Sequence, residues 1–136
     1  MVRPVRVLLI EDNLDDVVHA KRVLKSCGLL EDLTVIRDGK KAVDYLAQSA
    51  KGPLEHRPDL IVLDLGLPKV SGLEVLQWIR ADQLLREIPV VILTGSREDS
   101  ALIELHRLGV LAYLVKPLTS RDLVRTVAGC VVPASA

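Results

Sequence analysis

Five short runs of aliphatic, mostly β-branched residues recur along the chain, at Val5 to Ile10, Leu33 to Ile36, Leu60 to Leu63, Pro89 to Leu93 and Ala112 to Val115. They are near-continuous in hydrophobicity and do not alternate with polar residues, the pattern of strands in a parallel sheet covered on both faces. Covering such a sheet requires helices between the strands.

The intervening segments have the matching period. Asp16 to Ser26 places Val17, Ala20, Val23 and Leu24 on one helical face, with Asn13 and Asp16 offering an N-terminal cap and Gly28 a stop. Gly39 to Gln48 carries Ala42, Val43, Leu46 and Ala47, and Gly72 to Ala81 carries Leu73, Val75, Leu76 and Ile79. Asp99 to Leu108 offers Leu102, Ile103 and Leu105 before Gly109, and Ser120 to Cys130 offers Leu123, Val124, Val127 and Ala128. Five β–α units with right-handed crossovers predict a doubly wound α/β sandwich whose ligand site lies beyond the carboxyl ends of the strands. Ser49 to Pro58, with Gly52, Pro53 and Pro58, is longer than a usual connection and predicts a surface loop.

Composition limits what such a sandwich can do. At 136 residues the chain fits one domain, with its core in about residues 5–130 and no output module expected. Eighteen basic side chains balance 18 acidic ones, and the aromatics are Trp78, Tyr45 and Tyr113, so neither a basic glove nor a stacking platform for nucleic acid is available. Cys27 and Cys130 lack metal-ligand spacing and are expected as buried or semi-buried thiols. The longest apolar run, Val110 to Val115, is far below a bilayer span, and the Met1-Val2-Arg3-Pro4 start has no signal-peptide core. The expectation is a soluble cytoplasmic protein without membrane or nucleic-acid partners.

Chemistry concentrates at the strand ends. The first strand ends in Glu11 and Asp12, the third in Asp64, the fourth in Thr94 and the fifth in Lys116-Pro117. Carboxylates gathered from two strand ends repel in a partly desolvated cleft unless a divalent cation holds them or one takes a proton. All-oxygen ligation suits magnesium better than zinc. The Lys116 ammonium and the Thr94 hydroxyl are equipped to grip phosphoryl oxygens, which leaves Asp64 as the best-placed carboxylate nucleophile.

Glu11-Asp12 after an aliphatic strand, Asp64 with Pro68 and Gly72 beyond it, Thr94 ending a Val-Val-Ile-Leu strand, and Lys116-Pro117 together resemble the receiver domain of two-component response regulators over residues 5 to 130. The resemblance implies a flavodoxin-like fold of strand order 2-1-3-4-5, with Asp64 phosphorylated by a partner histidine kinase. It implies an acidic pair at Glu11 and Asp12, magnesium held by Asp12 and Asp64 with the Gly66 carbonyl, and a phosphoryl group bound by Thr94 and Lys116. It further implies Tyr113 as the aromatic switch position, a cis bond at Lys116-Pro117, and a change of shape on the face of the fourth helix, fifth strand and fifth helix. Such a domain catalyses only its own phosphorylation and dephosphorylation.

Against the pattern of that family, Ser71 stands where an Asp often precedes the Gly and reads as a turn variation without chemical effect; the resemblance makes Gly66 and Ser96, both small, the positions that tune phosphate lifetime, and Gly95 replaces the family's usual Ala. The loop before the third strand, the Arg57-Pro58-Asp59-Leu60 lead-in and the Leu67-Pro68-Lys69 turn are similar to single-domain regulators paired with phytochrome-type kinases. That subgroup implies a homodimer, for which Leu102, Leu105, Val124 and Val131 are the candidate apolar patch.

Other residues have simpler readings. Asp15 and Asp16 suit a helix N-terminus, His19, His56 and His106 suit structural or surface roles, and Trp78 suits packing on the sheet. Among rival functions, an aspartyl-nucleophile phosphatase wants a general acid two residues after Asp64, where Gly66 stands. A scaffold that works without phosphorylation has no need of the complete acid, Thr and Lys set. A nucleotide-binding module lacks both GxGxxG and GK[ST] loops.

Overall fold

The five aliphatic runs form one parallel sheet, with β1 (Arg6–Ile10), β2 (Asp32–Ile36), β3 (Leu60–Asp64), β4 (Val90–Thr94) and β5 (Ala112–Val115) in the order β2-β1-β3-β4-β5. The structure is a computed structural model and describes residues 4–95 and 102–127, with the side chains of Leu102 and Ile103 outside that description. Neighbouring strands are in parallel register, with Leu9 opposite both Val35 and Val62, and Leu63 opposite Ile92. Helices α1 (Leu14–Ser26), α2 (Gly39–Lys51), α3 (Gly72–Ala81), α4 (Leu102–Arg107) and α5 (Ser120–Val127) fill the connections.

Alternating side chains of each strand feed two cores, as the period-2 geometry requires. Leu8 and Ile10 of β1, Ile61 and Leu63 of β3, and Val90 and Ile92 of β4 join Leu46, Val75, Ile79 and Leu105 under α2, α3 and α4. Val7, Leu9, Leu60, Val62, Val91 and Leu93 join Val17, Leu24 and Leu123 under α1 and α5. The central strands β1, β3 and β4 are buried on both faces, which explains why they read as continuous apolar runs, while the edge strands β2 and β5 are half-buried.

Three expectations need correction. The segment from Ser49 is not loop from its start: α2 runs on to Lys51 because Ala50 is buried in the α2 core and Ser49 Oγ donates to the Tyr45 carbonyl, and a 3-10 turn follows at Leu54–His56. Helix α1 begins at Leu14, capped by Asn13, whose side chain accepts the Asp16 N–H at 3.1 Å. Leu105 is not part of a surface patch, being fully buried under α4. Val124 is exposed, whereas Ser96, Ala128, Cys130 and Val131 lie outside the described residues.

Other placements follow the sequence reading. Trp78 packs on the core beneath α3, and Cys27 is half-buried. His19 Nε2 donates to the Leu118 carbonyl at 2.6 Å, tying α1 to the segment after β5. No helix among the described residues is long and apolar enough to cross a membrane.

Candidate functional site

The chain leaves β1 toward β2 on one side and later places β3 on the other, so the loops following β1 and β3 part and leave a crevice at the carboxyl edge of the sheet. A cavity of about 460 Å³ occupies it, lined by Glu11, Asp12, Asn13, Asp16, Asp64, Leu65, Gly66, Thr94, Gly95 and Lys116. Four carboxylates thus face one ammonium. A second cavity of about 460 Å³, beside α2 and lined by Asp44, Tyr45, Gln48, Ser49 and His56, has no such convergence of charge.

Backbone hydrogen bonds hold the strand ends in step. Glu11 N–H donates to Ile36 at 3.1 Å, Leu65 N–H to Leu93 at 2.9 Å, and Lys116 N–H to Thr94 at 2.7 Å. Glu11, Asp64, Thr94 and Lys116 therefore sit at the last rung of the sheet or one residue past it, and Asp12 follows directly after Glu11. Thr94 is buried at the end of β4, opposite Val115. Tyr113, opposite Ile92, is partly buried and packs on the core shared with α4. The Lys116–Pro117 peptide is cis.

The electrostatics centre on Lys116. Its Nζ lies 2.9 Å from Asp16 Oδ2, 3.0 Å from Glu11 Oε2 and 3.4 Å from Asp64 Oδ1. Burial works against the ammonium charge, but the hydrogen bond to Asp16, the close contact with Glu11 and the field of Asp64 outweigh it and hold the Lys116 pKa above its ordinary value. Burial pushes the Glu11 carboxyl up to about 7; the Lys116 ammonium opposes this and the charge of Asp64 adds to it. Glu11 Oε1 accepts the Asn13 N–H at 3.2 Å, and Asp64 Oδ1 accepts the Gly66 N–H at 3.1 Å.

Glu11, Asp12 and Asp64 each offer a carboxylate oxygen, and the three oxygens lie within 4.8 Å of one another. Glu11 Oε2 accepts no aligned hydrogen bond and faces Lys116 only as an ion pair. An all-oxygen donor set with an excess of negative charge fits a hard divalent cation.

Two residues at the site escaped the sequence reading. Asp16 does not cap α1 with its side chain; it reaches across to Lys116, which is 100 positions away in the chain. Its sequence signal was its place in the first turn of the helix that follows Glu11-Asp12 directly. Arg37, just past β2, donates to the Asp12 carbonyl from Nη2 at 3.0 Å and from Nε at 3.3 Å, fixing the loop that carries Asp12. Nothing local marks Arg37. Ser71 also has a definite task, since its side chain accepts the Glu74 N–H at 3.2 Å and caps α3.

With this geometry established, comparison with known proteins is decisive: the sequence profile of the response regulator receiver domain matches residues 7–128. The chain belongs to this family. Among relatives, the receiver is 42% identical over 124 residues to the probable methanogenesis regulatory protein FilR2 of Methanothrix harundinacea, covering 91% of this chain and 79% of that one. It is 39% identical over 126 residues to response regulator Rcp1 of Synechocystis, covering 93% and 86%.

Solved structures agree with the fold. The bacteriophytochrome response regulator AtBRR superposes with a TM-score of 0.79 at 39% identity, covering 92% of this receiver and 91% of that chain. The phosphorylated cyanobacterial phytochrome response regulator RcpA gives 0.76 at 35%, covering 93% and 91%. The Mn(2+)-bound form of Rcp1 gives 0.74 at 39%, covering 93% and 91%.

Proposed function

We propose that this receiver accepts a phosphoryl group on Asp64 from a sensor histidine kinase, in a reaction that needs a divalent cation, magnesium in the cell. The observation that carries the reading is the position of the Lys116 ammonium, within 3.0 Å of Glu11 and 3.4 Å of Asp64 at one end of a cavity open to a donor. That Rcp1 has been seen with manganese, and RcpA in phosphorylated form, supports it.

Asp12 and Asp64, with Glu11 behind them and the Gly66 carbonyl beside them, are the residues to hold the ion. The ion supplies charge neutralisation to the transferring phosphoryl oxygens. An Asp64 carboxylate oxygen attacks phosphorus in line with the donor, the new oxygen–phosphorus bond forms as the bond to the donor breaks, and the donor leaves with that electron pair. Lys116 screens the negative charge, and the Thr94 hydroxyl donates to a phosphoryl oxygen. The receiver acts on no separate substrate; it promotes only the gain and loss of its own phosphoryl group.

The signal follows from about two added negative charges at Asp64. Thr94 moves toward them, Tyr113 enters the space it leaves, and the face of α4, β5 and α5 shifts between two populated shapes. Exposed Val124 on α5 makes this face a candidate for a homodimer. The names of AtBRR and RcpA support a phytochrome-type kinase as partner, and the partner places the receiver in the cytoplasm.

Incubation with acetyl phosphate and magnesium, followed by intact-mass measurement, tests the reading. A phosphate-sized gain that disappears in Asp64→Asn is expected. No gain in the unsubstituted protein with the cation bound would leave a scaffold that works without phosphorylation, and steady release of phosphate from added phosphomonoesters would point to a phosphatase. Sedimentation before and after phosphorylation tests the dimer; a monomer in both states removes it.

A further inference from the structure

We propose that Asp16 is the resting-state partner of Lys116 and the carboxylate that Lys116 releases when a phosphoryl group arrives on Asp64. This rests on the phosphoacceptor reading and adds to it a positioning residue on α1, one that acts on the phosphoryl group only through Lys116.

An ammonium carries three N–H donors, and three carboxylates surround this one. The shortest approach, 2.9 Å, is to Asp16, with Glu11 at 3.0 Å and Asp64 at 3.4 Å. Of the three, the Asp16 contact is an aligned hydrogen bond, while Glu11 and Asp64 face the ammonium as ion pairs. A phosphoryl group on Asp64 brings close to two further negative charges and draws one N–H toward itself. As Nζ turns toward phosphoryl oxygens that lie beyond Asp64, its hold on Glu11 or on Asp16 loosens.

Solvation decides which one yields. The Glu11 side chain is 1% exposed, so a Glu11 carboxylate abandoned by Lys116 has no water to replace it. The Asp16 side chain is 40% exposed and hydrates as soon as Lys116 leaves. Asp16 is thus the exchangeable partner, and its contact with Lys116 stabilises the resting form alone. A contact made in one state only biases the equilibrium toward that state. Asp16 acts as a brake on phosphorylation, and removing its carboxylate favours the phosphorylated form.

Two double-mutant cycles on Asp16→Asn and Lys116→Met test this. The first follows thermal unfolding of the metal-free protein in chelator. A non-additive difference of roughly 2–4 °C is expected; strictly additive losses would show that the contact carries no energy and sink the proposal, whatever becomes of phosphorylation. The second follows binding of beryllium trifluoride, a phosphoryl mimic, with magnesium present. Asp16→Asn is expected to tighten binding about two- to fivefold when Lys116 is present and to change nothing in the Lys116→Met background, while Asp16→Glu keeps the wild-type affinity. Weaker binding in Asp16→Asn overturns the proposal, as does equal tightening in both backgrounds, which marks a general loss of negative charge. If the unsubstituted protein binds no beryllium trifluoride, the phosphoacceptor reading falls and the release step with it, and the thermal cycle reports separately on the contact.

Discussion

Gly72 lies against the backbone at the end of β3, where a β-carbon on residue 72 would stand 2.7 Å from Leu65 Cα and closer still to the Asp64 carbonyl oxygen. The Gly72 N–H donates to the Leu65 carbonyl at 3.2 Å, so the first turn of α3 is seated directly on the residues that carry the candidate phosphoacceptor. The absent side chain makes that approach possible.

Gly72→Ala should therefore force α3 and the end of β3 apart. A loss of about 1–3 kcal/mol is expected from the overpacking, together with slower acetyl phosphate labelling as Asp64 shifts. Urea denaturation and intact-mass time courses check the two parts. An alanine variant as stable as the parent would show that the segment relaxes freely.

The neighbouring Ser71→Ala should behave differently. It removes the α3 cap but leaves the backbone approach intact, so about 1 kcal/mol of stability is expected to go with the labelling rate unchanged. The same two measurements separate it from Gly72→Ala.

Arg80 has its task at the opposite edge of the sheet. Its half-buried guanidinium donates to the carbonyls of Leu108 at 2.8 Å, Arg86 at 3.0 Å, Ile88 at 3.0 Å and Gly109 at 3.3 Å, joining α3 to the segments before β4 and after α4. Burial lowers its pKa, with Glu87 opposing that shift. Arg80→Met should cost about 2–3 kcal/mol by stranding several of these acceptors and should speed amide exchange at Leu111, whose N–H pairs with Val90. Arg80→Lys keeps the charge without the planar fork and should recover only part of the loss.

Asp38 provides a pH-dependent element away from the acidic cavity. It caps α2 by accepting the Lys41 N–H at 3.0 Å, and that hydrogen bond holds its carboxyl below the usual value. A depressed carboxylate pKa stabilises the fold above the unfolded value and loses that contribution as pH falls through the folded one. Asp38→Asn caps without titrating. The stability advantage of the parent over Asp38→Asn should be present at neutral pH and shrink as pH falls to about 3, as followed by urea midpoints; a difference independent of pH would show that the cap charge has no role.

Much of this receiver is legible along the chain. The aliphatic runs Leu60 to Leu63 and Pro89 to Leu93 announce strands because both of their faces are buried, and Asn13, Gly28 and Gly72 mark helix ends through local hydrogen bonding and backbone freedom. Asp64, Thr94 and Lys116 stand at strand ends, where the order of elements alone brings them to one edge. The run from Ser49 to Lys51 was opaque because Gly52 and Pro53 signal a break, whereas the helix persists on the burial of Ala50. Leu105 likewise suits either an apolar surface or a core by its spacing, and only the packing of α4 places it inside.

Local periodicity, capping and turn chemistry act over a few residues, so the sequence by itself determined the alternating elements, the parallel sheet and the residue types at its carboxyl edge. Tertiary structure decided which charges meet. Lys116 finds Asp16 across 100 positions and Arg37 finds the Asp12 carbonyl only because the sheet is ordered β2-β1-β3-β4-β5 and α1 packs on the α5 side of it. Electrostatic pairing depends on distance and burial in space, and neither quantity exists until the strands have found their neighbours.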